Sequence, residues 1–382
     1  MPSSVGPYQT RGSNLVFNYD VGDVANSYIG EPTTNLASGL GLIGMSGISL
    51  NYIGLEDGWI KYSMGGTFTG GGYPYIMYLN PVTFTGGQFY STQAIVKTNV
   101  PYKFNYFGTS GISYVNEPKI SEGSLTQTTL PDGSSYITRF GFAYTNTTSQ
   151  PGYLYTNPIN NTTFNSSTDF VYLKNFQVEQ KNHCTQYTPT SRSTTQGLLD
   201  ISGYSNIVTL NTSYDANAMM YFDGTDDYIN ASTTLGADCT LELVIQSSNY
   251  NVKIPISLDG NNYSSGPNIF FYNNVISWNT GDSADNPFSN SSYPNSNYHH
   301  IVVSNTSGVN AILYIDGVQI GTARSLNATT TGANKLWIGR FHGDNNYTIA
   351  GNIPVVKVYN RVLSTSEITT NYNSYKKRFN LS

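Results

Sequence analysis

Charged side chains are scarce in this sequence: Asp, Glu, Lys and Arg make up 11% of its 382 residues, with 18 Lys and Arg against 23 Asp and Glu. A formal net charge of -5 and a pI near 5.3 leave no concentrated basic surface of the kind a phosphate backbone demands, which excludes a nucleic-acid partner. The one basic run, Lys376-Lys377-Arg378, falls at the end of a predicted helix, where cations offset exposed carbonyls. Cysteine is nearly absent. Cys184 and Cys239 lie in different predicted domains with no CxxC or Cys/His spacing, so two buried thiols are expected, not a disulfide or a zinc site. No run approaches the roughly 20 apolar residues that cross a bilayer, and the opening MPSSVGPYQTRGSN lacks the apolar stretch of a secretion signal. The expectation is a chain made in a cytoplasm and not inserted in a membrane.

What the sequence does hold is Tyr (32), Gly (37) and many Asn, Ser and Thr, a mixture that favours strands and tight turns over helices. An aromatic content of 14% supplies enough apolar area to pack, which argues against disorder. Strand-like runs recur at 14–19, 75–79, 94–97, 135–142, 170–178, 240–245, 300–304 and 311–315, punctuated by Gly, Asn, Pro and Asp. That spacing suits sandwiches. In AILYIDGVQIG the pair Asp316-Gly317 separates two alternating runs, as a two-residue type I′ hairpin requires. Ser364-Thr-Ser-Glu367 is a capping box, and it predicts a short closing helix that ends in the basic triplet.

The length calls for two domains. From about residue 197 onward the motifs GLLDISGYSN, YFDGTDDYIN, TLELVI, YHHIVVS, LYIDGVQIG, LWIGR and VYNRVLSTSEI follow in order. This stretch resembles a laminin G-like domain of the concanavalin A-like lectin/glucanase superfamily. The resemblance implies that SNLVFNYDVGDVANSYIG, residues 13–30, is the first strand and loop of that same domain, whose Asp200-Ile-Ser-Gly203 segment arrives only after an insertion. Residues 32–191 would then form an inserted jelly roll similar to a carbohydrate-binding module, between an N-terminal arm and strand (1–31) and the laminin G-like body (192–382). The order NLVFNYD, QVEQ, TPTSR, DISG, FDGTDDYI resembles virion surface and tail proteins of tailed bacteriophages.

The superfamily includes glycoside hydrolases, which need paired carboxylates on one sheet face. No Glu-x-Asp or Glu-x-Glu occurs, and Glu242 stands alone in TLELVI, so no catalytic residues are expected. Of His299-His300, alternation puts one ring inward and the other toward solvent. No Gly-x-Ser-x-Gly elbow or phosphate loop is present. Asp223, Asp226 and Asp227 are hard oxygen donors close together, which calcium could use. The plainer reading is a turn at Asp223-Gly224 capped by the other acids, and no cofactor is otherwise expected. For a glycan, Trp59 with Tyr62 and Trp278 with Asn279 are the candidate contacts, though a sandwich core would use the same rings.

The sequence therefore reads as all-β: two antiparallel jelly-roll sandwiches, the second concanavalin A-like with a closing helix. The functional expectation is a non-enzymatic virion structural protein that packs against copies of itself and other virion proteins. A trimer is expected by analogy to phage fibres. The alternative is an adhesin for a host surface glycan, with a polysaccharide depolymerase third.

Overall fold

The computed structural model describes residues 14–36, 47–70, 75–85, 88, 90–110, 137–144, 150–181, 185–214, 220–248, 251–259, 267–272, 275–279, 287–292, 295–325, 335–342 and 345–381. Cys184 lies outside them. Among the described residues the chain is all-β and antiparallel apart from one α-helix and short 3-10 turns. It divides into two compact units. One gathers Met1–Pro32, Ser193–Asp215 and Met219–Ser382, and the other is built on Thr33–Arg192.

The first unit is a sandwich of an eight-stranded and a seven-stranded sheet. The larger sheet runs Ser213–Tyr214, Met220–Asp223, Ala350–Tyr359, Cys239–Ser247, His299–Thr306, Asn310–Ile315, Val318–Ser325, and Leu15–Asp20 also pairs with Ala350–Tyr359. The smaller runs Val208–Asn211, Tyr228–Ser232, Lys335–Ile338, Lys253–Asp259, Asn268–Tyr272, Val275–Asn279, Pro287–Ser292. Period-two alternation turns one set of side chains from each strand between the sheets. There Phe17, Tyr19, Phe222, Leu241, Leu243, Phe271, Trp278, Ile301 and Ile338 form one buried cluster. Cys239 is buried in the same core, and desolvation pushes its thiol up to about 12. It is an inert thiol at neutral pH.

Two local signals shape the edge and end of this unit. Asp316 (φ 50°) and Gly317 (φ 77°) both take the left-handed conformation that a type I′ turn needs, joining Asn310–Ile315 to Val318–Ser325. Ser364 caps the helix Thr365–Phe379: its hydroxyl accepts from the Glu367 N–H, and Glu367 accepts from the Ser364 N–H. Arg361 donates to Glu367 at 2.6 Å, and this contact, ahead of the cap itself, brings the carboxyl down to about 2. The helix does not lie loose on the surface. Ile368, Tyr372 and Tyr375 are buried against Val244, Val302, Tyr314, Val355 and Tyr359, which project from the outer face of the larger sheet. The central strand Cys239–Ser247 is consequently buried on both faces, which explains why TLELVI reads as nearly continuous apolar residues.

The second unit has a six-stranded sheet ordered Thr162–Phe164, Trp59–Phe68, Phe170–Glu179, Tyr90–Thr98, Ile137–Tyr144, with Ile48–Glu56 also paired to Trp59–Phe68. A three-stranded sheet is made by Tyr75–Phe84, Gln150–Pro158 and Phe104–Ser110. Ile48, Leu50, Tyr62, Met64, Val96, Phe104, Phe164, Val171 and Leu173 make its core. The two-stranded ladder Thr33–Thr34 with Ser191–Arg192 brings the beginning and end of this unit side by side.

Candidate functional site

Alternation also decides what each sheet of the first unit shows on its outward face. On the larger sheet, Glu242 points outward between Leu241 and Leu243 and is fully buried by the helix. Its Oε1 lies 3.1 Å from His300 Nε2 and 3.9 Å from Lys357 Nζ, and its Oε2 accepts from the Asn371 side-chain amide at 2.8 Å. Burial pushes the Glu242 carboxyl up, but the Lys357 charge, His300 and Asn371 outweigh it and hold the group below the ordinary carboxylate range. Lys357 is lowered by desolvation, against the pull of Glu242 and Asp20. Burial also raises Tyr359, whose hydroxyl accepts from Asn371 at 3.2 Å. Glu242 is the one acid of its strand, and it sits in a buried ionic cluster beneath the helix. The histidine expectation is corrected. Both rings are buried, His300 under the helix beside Tyr372 and Tyr375, and His299 with Nδ1 2.7 Å from Asp316 in the hairpin turn. Solvent exposure of one ring would require an uncovered face, and the helix covers it.

The outward face of the seven-stranded sheet is different in chemistry. Register places Trp337 between Asn230 and Ser257, and Asn268 opposite Asn279. The segment after Lys335–Ile338 folds back over these strands. The Arg340 guanidinium stacks on Tyr228, 3.6 Å from the ring centroid, and lies 4.9 Å from Trp337. Ser257 Oγ donates to the Arg340 carbonyl at 3.2 Å, which pins the segment to the sheet. Tyr347 meets both Phe270 and Phe341, edge to face, at 6.2 and 5.8 Å. The result is a bank of half-buried rings, Tyr228, Phe341 and Tyr347, with the exposed Tyr272 and the amides of Asn230 and Asn279 around it. Rings beside amides can stack on the C–H faces of a sugar and hold its hydroxyls.

Asp223, Asp226 and Asp227 converge, with one ligand atom from each within 4.8 Å of the others. Asp227 Oδ2 accepts from the Asp223 N–H at 2.9 Å, and Asp223 Oδ1 accepts from the N–H groups of Thr225 and Asp226 at 2.7 and 3.4 Å. Gly224, at φ +84°, completes the turn. These carboxylates are hard oxygen donors of the type calcium takes, and the turn's own amides already engage two of them.

The aromatic pairs singled out from sequence separate in space. Trp278 is fully buried between the sheets while Asn279 lies on the outward face, so Trp278 offers no ring to a ligand. Tyr62 is in the core of the second unit, whereas Trp59, three residues earlier on the same strand, faces outward. Residues an odd number apart on a strand lie on opposite faces. Tyr228, Trp337 and Arg340 were missed. Their signal was the even-numbered spacing within YIN and KLW, but only sheet register joins the two strands.

A laminin G family model, described as the concanavalin A-like lectin/glucanases superfamily, matches residues 223–369. A search of curated proteins finds no match. Among solved structures, the receptor binding domain of botulinum neurotoxin D is 16% identical, with a TM-score of 0.37 over 48% of this chain and 51% of that one. The binding domain of botulinum neurotoxin DC in complex with rat synaptotagmin II is 16% identical, with a TM-score of 0.38 over 48% of this chain and 50% of that one. The serotype D ligand binding domain in complex with N-acetylneuraminic acid is 17% identical, with a TM-score of 0.36 over 48% of this chain and 49% of that one. The chain spans about half the length of these structures.

Proposed function

We propose that this chain is a non-enzymatic, glycan-recognising surface protein of a virion, and that the outward face of its seven-stranded sheet is the recognition surface. The observation that carries the glycan reading is the ring bank around Trp337, with Arg340 fixed on Tyr228 and side-chain amides at its margin. A recognition role also fits how the carboxylates are used: Glu242 is closed off beneath the helix, and Asp223 and Asp227 hold turn amides. Hydrolysis would need an acid and a second carboxylate facing one bound sugar. The virion setting rests on the order of the NLVFNYD, QVEQ, TPTSR and DISG motifs. Copies of the chain and other virion proteins are the partners it implies.

Binding of the full chain to polysaccharides from the host envelope, together with a reducing-end assay, tests the first part. Expected are saturable binding, loss of binding in Tyr228→Ala at an unchanged melting temperature, and no release of reducing ends. Turnover, or binding indifferent to Tyr228, would overturn it. Labelling intact particles with antibody to the chain tests the second part, and an unlabelled particle surface contradicts it.

A further inference from the structure

Among the described residues, one strand edge of this chain is closed by hydrogen bonds and another is open. In the first unit, Leu15–Asp20 pairs with Ala350–Tyr359 on one side, and a loop with its side chains finishes the other. The Asn18 N–H donates to Asp200 Oδ1 at 3.0 Å, and the Asn18 carbonyl accepts from the Ile201 N–H at 2.8 Å. The Val16 carbonyl accepts from the Asn206 side-chain amide at 2.7 Å, and the Asp20 N–H donates to Ser27 Oγ at 3.0 Å. With these groups engaged, the edge offers little template to another chain.

Ile48–Glu56, in the second unit, lacks such closure. It pairs with Trp59–Phe68, and among the described residues nothing hydrogen-bonds along its other side. The sequence ISLNYIGLE also lacks the Lys and Pro that blunt edges, and its one charge, Glu56, is held by Lys61 at 2.7 Å. A bulge at Ile53 bends the strand but leaves Ile48–Tyr52 in regular register. The side chains agree with the backbone. Ile48 and Leu50 are buried in the core, and alternation puts Tyr52 on that same face, opposite Tyr62, with ring centroids 6.0 Å apart. Beyond the bulge, Leu55 stands opposite Ile60, itself packed against the core. The apolar face continues while its cover ends: Tyr52 is 57% exposed, Ile53 54% and Leu55 72%. Large apolar side chains gathered beside an open edge mark a surface for another chain.

We propose that this edge pairs with the same edge of a second copy, antiparallel about a two-fold axis, so that two six-stranded sheets become one. Charge favours both the partner and the orientation. Over Ile48–Leu55 neither copy has a charge to desolvate, so the edge is complementary to itself. Glu56 and Asp57 sit at the turn that ends the strand. Antiparallel pairing sends the two turns to opposite ends, whereas parallel pairing would set like charges side by side. A two-fold contact also closes, while pairing with a different edge would propagate. The contact gives copy-to-copy association a place on the molecule, and it needs neither the glycan face nor the virion. Its symmetry is two-fold, not the three-fold of the fibre analogy.

Sedimentation of the full chain over a wide range of concentration, with hydrogen exchange of the same samples, tests the proposal. Expected are a monomer–dimer equilibrium and amides of Ile48–Tyr52 that exchange more slowly as the dimer fills. Ile53→Lys and Leu55→Lys, both at exposed positions, should each raise the dimer dissociation constant about a hundredfold, because the axis brings two lysines into one interface. Their melting temperature in dilute solution should be retained. Val318→Lys, at a comparably exposed position on the edge strand Val318–Ser325 of the first unit, should leave the dimer unchanged. A chain that stays monomeric throughout, a larger assembly dissolved by the same lysines, or a dimer whose Ile48–Tyr52 amides gain no protection would each overturn the proposal. So would a dimer indifferent to both edge lysines, although that result would leave copy-to-copy association standing at another surface.

Discussion

The two sheets of the first unit obey the same alternation, yet their outward faces have different fates. On the larger sheet the outward residues are Val244, Val302, Val355 and the Glu242–His300–Lys357 cluster, and a helix seals them. On the smaller sheet they include Asn230, Ser257, Asn268, Phe270 and Trp337, which among the described residues are crossed by the segment that carries Arg340 and Tyr347. An outward polar residue thus has no fixed meaning. Under a helix it is structural and intolerant of change; on the other face Ser257 and Asn268 are covered too, and half-buried Asn230 stands beside the ring bank. A buried charge is costly unless it is paired, so the first face should be far more sensitive to substitution than the second.

The largest expected effect comes from breaking the sealed cluster. Glu242→Gln leaves the buried Lys357 without its counter-charge and should cost about 3–5 kcal/mol, read as a lower denaturant midpoint with an unchanged slope. A loss under 1 kcal/mol would mean that the cluster is solvated and the two faces are alike.

Acid should act through the same group. The folded-state carboxyl of Glu242 lies below its ordinary value of 4.5. Its contribution is therefore complete above that value and is lost as pH falls through the folded pKa. Melting temperature should drop on acidification below the ordinary carboxylate range, and Glu242→Gln should remove part of that slope. A slope identical in the variant would place the acid sensitivity elsewhere.

A smaller effect is expected at the helix start. Ser364→Ala removes the cap acceptor and should cost about 1 kcal/mol, because packing of Ile368, Tyr372 and Tyr375 still holds the helix. A cost as large as that of Glu242→Gln would show the helix to be held mainly by its first turn. The smallest effect belongs to the other face. Asn230→Ala should stay within about 0.5 kcal/mol of the parent in stability while weakening glycan binding, and a large stability loss there would erase the contrast.

What sequence shows of these faces depends on how local the signal is. The Asp316-Gly317 turn and the Ser364/Glu367 cap are written within a few residues, and both are legible as they stand. The strand runs and their all-β outcome follow from period-two patterning. Faces are harder. Trp59 with Tyr62, and Trp278 with Asn279, were paired by nearness in sequence, although odd spacing on a strand already separates them. The stack of Arg340 on Tyr228 and Trp337 joins residues far apart along the chain, and no pattern within one segment encodes that register. Glu242 could not be recognised as buried on its outward side without the helix that arrives more than 120 residues later.

The strand Leu15–Asp20 is among the first described residues, and its hydrogen-bonded neighbour Ala350–Tyr359 is among the last. On a translating ribosome that neighbour emerges roughly 20 to 70 s after the strand itself, at about 5–20 residues per second. All the sheet partners of the second unit, by contrast, lie between Thr33 and Arg192. Synthesis therefore imposes a schedule: the inner unit can complete its sheets while the outer one is still missing a central strand. For most of its birth the chain trails an apolar segment, LVFNY, that must stay out of other strands' edges until its own partner exists.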